Sequence, residues 1–330
     1  MPKRSQRGLA AVIVGLAILA AALAPVSPAR AMAANQDAIP ASSSDGLPAA
    51  RPDGRLVAML DRAGRYVVEY ERTFRDLVAE EISTQWAGGP SGPSDPHVPR
   101  RRTLRSDMVF TTLPGAVPWG CFRDVFEVDG REVHDREARL ERLFVTESSA
   151  SAVEHAKAIL QEGSRYNIGT ARRTANIPTL PLLFLHPENQ ARFRFEIKGR
   201  RRFHDQEGVE LHFTETARPT LLKGRGAGLP AAGSFWIAEQ TGVVLRSDVT
   251  YEFPIRRATA WIALDYRPEP GLQIWVPDEM KERYEDLPGT FDPEFDERTE
   301  ATSRYSNYRR FSVTTNEGIV GAVVPKKPER

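Results

Sequence analysis

The residues able to do chemistry are few and scattered. Six histidines are present, His97, His134, His155, His186, His204 and His212. None stands at a metal-ligand spacing from another histidine or from the single cysteine, Cys121, so neither a metal site nor a cofactor is expected. No Gly-x-Ser-x-Gly elbow occurs. Gly224-Arg225-Gly226-Ala227-Gly228 has the composition of a phosphate loop. It falls between two strand patterns, without a helix N-terminus to supply the dipole, and reads as a hairpin loop. Cys121 lies beside Phe122 with no basic partner assignable, which fits a small core residue better than a nucleophile. The run Glu127 to Glu137 is crowded with charge, but its acids miss the register of a calcium loop and fit a surface turn. No catalytic residue is assigned, and the expectation is a protein that is not an enzyme.

What remains is a set of aromatic side chains and one misplaced carboxylate. By strand parity Asp124 shares a face with Phe122 and Phe126. A carboxylate on an apolar face must be paired or have its pKa raised. The expected partner is an arginine such as Arg309, which parity also places on an apolar face; a ligand-contacting acid and a catalytic acid are the alternatives. Aromatic residues usually fill a core. In a half-barrel some line a cavity instead, and the cavity-lining candidates are Phe110, Phe122, Phe126, Phe193, Phe195, Phe213 and Tyr251, together with the aliphatic Leu211.

The elements that must position these residues are legible from periodicity. Lys3, Arg4 and Arg7 precede an apolar run from Leu9 to Ala24, and Ala29-Arg30-Ala31 fits a small-x-small cleavage site. Residues 1–31 therefore read as a signal peptide, and the protein as periplasmic or secreted. Residues 32–54 read as a disordered lead-in. The whole chain has 45 Lys+Arg and 44 Asp+Glu. Without the four basic leader residues (Lys3, Arg4, Arg7, Arg30) the balance becomes 41 to 44, which argues against a nucleic-acid partner. Arg100-Arg101-Arg102 and Arg200-Arg201-Arg202 read as solvated strand ends or loops. One cysteine gives no intramolecular disulfide.

Leu56, Met59, Leu60, Ala63, Tyr66, Val67 and Tyr70 recur at helical spacing. From Leu77 the period becomes two, and alternating stretches then recur at 104–110, 122–128, 193–198, 209–214, 243–253, 260–266, 272–276 and 305–313. Turn residues fall at Asp129-Gly130, Lys198-Gly199, Gln206-Glu207-Gly208, Gln240-Thr241-Gly242 and Pro268 to Gly271. A helical insert is expected at about 131–175 and a flexible tail at 316–330. The connections after residue 190 are too short for parallel crossovers. The expected fold is mainly β (α+β), a single domain over 55–315: a strongly curved antiparallel sheet or half-barrel wrapped around the N-terminal helix and the insert.

This order of elements, with Phe235-Trp236-Ile237, Thr241-Gly242-Val243-Val244-Leu245-Arg246 and Tyr266 to Val276, resembles the lipoprotein-carrier half-barrel of the periplasmic lipoprotein-localisation proteins (LolA and LolB). Phe122 to Gly130, Trp275 to Met280 and Ala301 to Phe311 are also similar to stretches in exported proteins of soil bacteria. The resemblance implies a concave apolar cavity for a lipid, an acyl chain or a lipidated protein, with no binding residue carried over by position. The alternative is a structural or interaction module of the cell envelope with a filled core and no small ligand.

Overall fold

A computed structural model of the chain describes residues 53–75, 77–88, 100–111, 120–136, 158, 161–169, 173, 176–203, 205–223, 228–253, 258–286 and 298–310. The expected signal peptide, most of the expected lead-in, the expected tail, Phe311, Val313 and most of the expected insert lie outside the described residues.

One helix and a large sheet dominate. Helix α1 spans Gly54–Phe74 and is capped by Asp53, whose carboxylate accepts from the Arg55 N–H at 3.0 Å. Its buried stripe is Met59, Ala63, Val67, Tyr70 and Phe74, the helical spacing read in the sequence. The strands are β1 (Leu77–Gly88), β2 (Arg100–Thr111), β3 (Gly120–Val128), β4 (Arg131–Glu132), β5 (Phe193–Phe203), β6 (Gln206–Glu215), β7 (Leu222–Lys223), β8 (Gly228–Leu229), β9 (Ala231–Ile237), β10 (Val244–Phe253), β11 (Ala258–Glu269), β12 (Ile274–Asp286) and β13 (Arg298–Arg310). A one-turn 3-10 helix at Leu180–Phe184 and the short α2, Pro187–Gln190, precede β5.

Eleven strands form one antiparallel sheet in the order β4-β3-β2-β1-β13-β12-β11-β10-β9-β6-β5, and it does not close into a barrel. The last strand pairs with the first, so the N-terminal meander and the C-terminal meander share a single surface. Helix α1 packs on one face, called the inner face here. Phe74 lies 4.6 Å from the Phe110 ring on β2. At the other end of α1, Arg62 Nε donates to the Glu239 carbonyl at 2.7 Å in the β9–β10 turn. Gly242 in that turn has φ +79, and an added Cβ would sit 2.4 Å from the Arg62 backbone, so only glycine lets the turn reach the helix.

The Asp129-Gly130 hairpin turn has φ values of 51 and 78, as a two-residue turn with both centres left-handed requires. Two other expected turns are corrected. Lys198-Gly199 lies inside β5 at a bulge between Ile197 and Arg200, and Gln206-Glu207-Gly208 begins β6. A glycine in a strand more often marks a bulge than an end. Within the expected helical insert, Arg131–Glu132 is a strand, residues 161–163 are helical and 164–169 are irregular chain.

Candidate functional site

The inner face is best followed along one row of the sheet. Register places Phe195, Phe213, Gly233, Val249, Ile262, Glu282, Ala301, Gln85 and Arg102 side by side on nine successive strands. The next row holds Ile197, Leu211, Phe235, Ser247, Leu264, Met280, Ser303, Ser83 and Leu104. Both rows begin apolar and become polar at β12 and β13.

The apolar half gathers many of the cavity-lining candidates. Phe193, Phe195, Leu211, Phe213 and Tyr251 share the inner face, as parity predicts. Phe213 stacks on Phe235 at 4.9 Å and meets Phe193 edge-on at 5.9 Å. The space before them is taken by the chain itself. Phe184 of the 3-10 turn lies 5.0 Å from Phe193, 5.5 Å from Phe213 and 6.4 Å from Tyr251. Leu180, Leu182, Leu183 and Leu185 are buried with it. This plug bonds mostly to itself: Leu180 N–H to the Ile177 carbonyl, Leu182 N–H to that of Thr179, Leu185 N–H to that of Leu182. Gln190 ties its end to α1, donating to the carbonyls of Leu185 (2.8 Å) and Leu60 (2.9 Å).

The polar half was not anticipated. Glu81 and Arg123 form a buried bidentate pair, 2.5 Å from Nε to Oε2 and 2.9 Å from NH2 to Oε1. Arg123 NH1 donates to Asn176 Oδ1 at 3.1 Å, and Asn176 Nδ2 donates to Glu282 Oε1 at 3.3 Å. Tyr284 donates to Glu282 Oε2 at 2.7 Å. Arg173 stands over the same carboxylate, NH1 to Oε1 at 3.8 Å. Burial works against the Arg123 charge, but Glu81 outweighs it and holds the guanidinium above the ordinary arginine range. Burial, with Glu81 beside it, keeps the Tyr305 phenol well above its usual range. Burial also pushes the Cys121 thiol up to about 12, so it is an unreactive neutral group at ordinary pH. The irregular chain at 166–168 closes this end: Arg102 NH1 donates to the Tyr166 carbonyl at 2.9 Å, and the Gln85 amide bonds Asn167 and the Ile168 N–H.

Four candidates, three on β3 and one on β13, sit elsewhere than parity suggested. Cys121, Arg123 and Val125 face inward, opposite Phe110, Met108 and Ser106, so Phe122, Asp124 and Phe126 turn to the outer face. Polarity misleads here because the inner face is itself charged at this end. Arg309 is displaced by a bulge. Asn307 has φ 52 and the β1–β13 register shifts between Val78 and Glu80, which puts Tyr308 inside and Arg309 outside. The two charges still share a network, though not a direct bond. Arg136 bridges Asp124 (2.6 Å) and Asp107 (3.0 Å), and Arg309 holds the other Asp107 oxygen at 3.0 Å. Arg105 and Arg136 lie over the Phe126 ring. Phe110 is inside, against Phe74.

The described histidines do not converge. His186 caps α2, accepting from the Glu188 N–H at 3.4 Å, and His212 meets Ser234 at 3.4 Å. Among the described residues no three His, Cys, Asp or Glu side chains are grouped to hold a metal ion. The sequence signal for the missed residues was the alternation Ala79, Glu81, Ser83, Gln85 against Glu80, Ile82, Thr84, Trp86. Small and polar residues face in, and Ile82 is exposed.

No family model matches the chain, and no curated protein does. Several solved structures are similar to it. A DUF1329 family protein from Desulfovibrio piger shares 12% identity over 80% of this chain and 95% of that one, with a TM-score of 0.30. A putative outer membrane lipoprotein-sorting protein domain from Vibrio parahaemolyticus shares 10% over 78% and 93%, with a TM-score of 0.29. A LolA superfamily protein from Nitrosomonas europaea shares 10% over 76% and 94%, with a TM-score of 0.26. Lipoprotein-sorting proteins are thus among the structures this chain resembles.

Proposed function

We propose that this is an exported, non-enzymatic binding protein of the periplasm or the cell exterior. Its apolar inner half takes a hydrophobic chain, from a lipid, an acyl group or a lipidated protein. The observation that carries this reading is the plug. Leu180, Leu182, Leu183, Phe184 and Leu185 are buried, Phe184 against the aromatic surface, and the backbone–backbone bonds of the turn stay within residues 177–186. The segment leaves the sheet without breaking a strand ladder, and it exposes Phe193, Phe213 and Tyr251 when it does. An acyl chain replacing it regains the same burial, at about 25 cal/mol per Å² of apolar surface removed from water. No cofactor is needed for such binding.

The test is titration of the purified mature chain with a fluorescent long-chain fatty acid. The expected dissociation constant is micromolar, about −8 kcal/mol. Phe184→Ala weakens the competing plug and binds more tightly. If neither the parent nor Phe184→Ala binds the probe, this reading is wrong.

One observation favours a second reading. On the outer face Ile82, Trp86, Arg101, Arg298 and Arg304 border a groove of about 820 Å³. With the core left filled, that surface suits an interaction module contacting another envelope protein.

A further inference from the structure

Among the described residues, the polar half of the inner face contains one guanidinium that makes no hydrogen bond. Arg173 is fully buried, yet Nε, NH1 and NH2 all lack a hydrogen-bond partner. The described carboxylates of this half are already committed. Both Glu81 oxygens are taken by Arg123 at 2.5 and 2.9 Å. Glu282 Oε2 accepts from Tyr284 at 2.7 Å, and Oε1 accepts from Asn176 at 3.3 Å. The Arg173 nitrogen nearest Oε1 is 3.8 Å away, an ion-pair distance too long for a hydrogen bond. Glu282 therefore balances the charge of Arg173 without using its donors. A buried guanidinium with five unused N–H groups is costly, and buried donors are otherwise almost always satisfied. Uncommitted hydroxyls lie on the same face. Ser106, Thr299 and Ser303 are inward-facing, and their oxygens also lack a partner. Ala301, Ser83 and Ser303 keep the floor of this face low. Arg173 itself sits in neither helix nor strand.

We propose that Arg173 is the receptor for an oxyanion, a carboxylate or a phosphate group. The guanidinium fork grips it in two places and the serine and threonine hydroxyls complete its shell. The oxyanion comes either from a free small anion or from the head of an amphiphile. The second source rests on the function proposed above: along one row of the sheet the aromatic surface runs into Glu282 on β12, so a chain lying over Phe213 and Val249 directs its head toward Arg173.

The experiment has two arms, both on the mature chain. In the first, binding of a long-chain fatty acid is compared with that of its methyl ester. In the second, melting is followed in phosphate and in acetate against sodium chloride of equal ionic strength. The variants are Arg173→Lys, which keeps the charge and loses the fork, and Arg173→Met with Glu282→Gln, which removes both charges together. Headgroup capture is shown by an acid that binds about tenfold or more tighter than the ester, a preference that shrinks in Arg173→Lys and vanishes in the double variant. Capture of a free anion is shown by acid and ester binding alike while phosphate or acetate raises the parent's melting temperature saturably and leaves the double variant unmoved. Acid and ester binding alike with no saturable anion effect overturns the role of Arg173 and leaves the carrier reading standing. If no chain binds at all, the carrier reading falls, and the anion arm alone decides on Arg173: a saturable shift lost in the variants supports it, and its absence overturns it.

Discussion

One row of the sheet begins at Phe195 and Phe213 and reaches Glu282, Gln85 and Arg102 without leaving the inner face. Its two halves solve burial in different ways. On β5, β6, β9 and β10 the face is aromatic, and a detached apolar segment covers it. On β1, β2, β3, β12 and β13 it carries carboxylates and guanidinium groups cross-linked by hydrogen bonds, with small hydroxyl residues between them. The first half is non-directional and exchangeable, because an apolar surface accepts any apolar partner of suitable volume. The second is directional, because a buried charge network tolerates little change in any member. The contrast separates the two ends: the plug is what a ligand chain would replace in the function proposed above, whereas the Glu81–Arg123 pair ties β1 to β3 across β2.

The comparison breaks first at its charged end. Glu81→Leu leaves Arg123 buried without its carboxylate and is expected to destabilise the chain by about 3–5 kcal/mol in urea unfolding. Replacing both residues by leucine is expected to recover most of that loss, since a buried ion pair can often be exchanged for apolar groups of similar volume. A double variant as unstable as the single one shows that the network is held by more than this pair. At the aromatic end Phe213→Ala is expected to cost about 3–4 kcal/mol, with some of the cavity refilled by the plug. A loss well under 1 kcal/mol means that Phe184 and its neighbours do not fill the space as a packed core does. Asp124→Ala on the outer face is expected to cost less, about 2 kcal/mol, because its partner Arg136 is 29% exposed and keeps Asp107. Arg136→Ala is expected to bring a similar loss and little more in combination.

The two halves were also unequally legible in the sequence. Helix α1 and the strands of the aromatic half follow from periodicity, since apolar residues there mark the inward face. At the charged end the same rule inverts. Phe122 and Phe126 look inward and turn outward, while Arg123 looks exposed and is buried. The charges balance only between strands far apart in the chain, Glu81 with Arg123 and Glu282 with Arg173, and no local pattern carries that. Arg309 was misplaced by one bulged residue, Asn307. The plug was missed for a third reason: Leu180 to Leu185 has neither helical nor strand period, and only packing gives it a place.

The smallest expected effect concerns a carboxylate on the inner face of the aromatic half. Glu215 lies on β6, on the same face as Phe213 and paired across the ladder with Phe193. No guanidinium fork meets it; Arg192 Nε is 3.9 Å away. Burial raises its pKa above the ordinary 4.5, and the N–H groups of Leu221 and Ala231 and the charge of Arg192 oppose that rise without cancelling it. Between 4.5 and the raised native value the folded chain therefore holds a proton that the unfolded chain has released. The native state binds more protons there, so this contribution is fully present below about pH 4.5 and is lost as pH rises through the native pKa. Asp248, also raised by burial, acts in the same direction. Glu215→Gln keeps an oxygen for the Leu221 N–H, now 2.5 Å from Oε1, and removes the titration. Relative to the parent the variant is expected to gain stability as pH rises across this window, by no more than about 1.4 kcal/mol per pH unit for a single group. Urea unfolding from pH 4 upward measures the difference. A gap between parent and variant that stays constant with pH shows that Glu215 titrates alike folded and unfolded, and that the aromatic half admits more water than its packing implies.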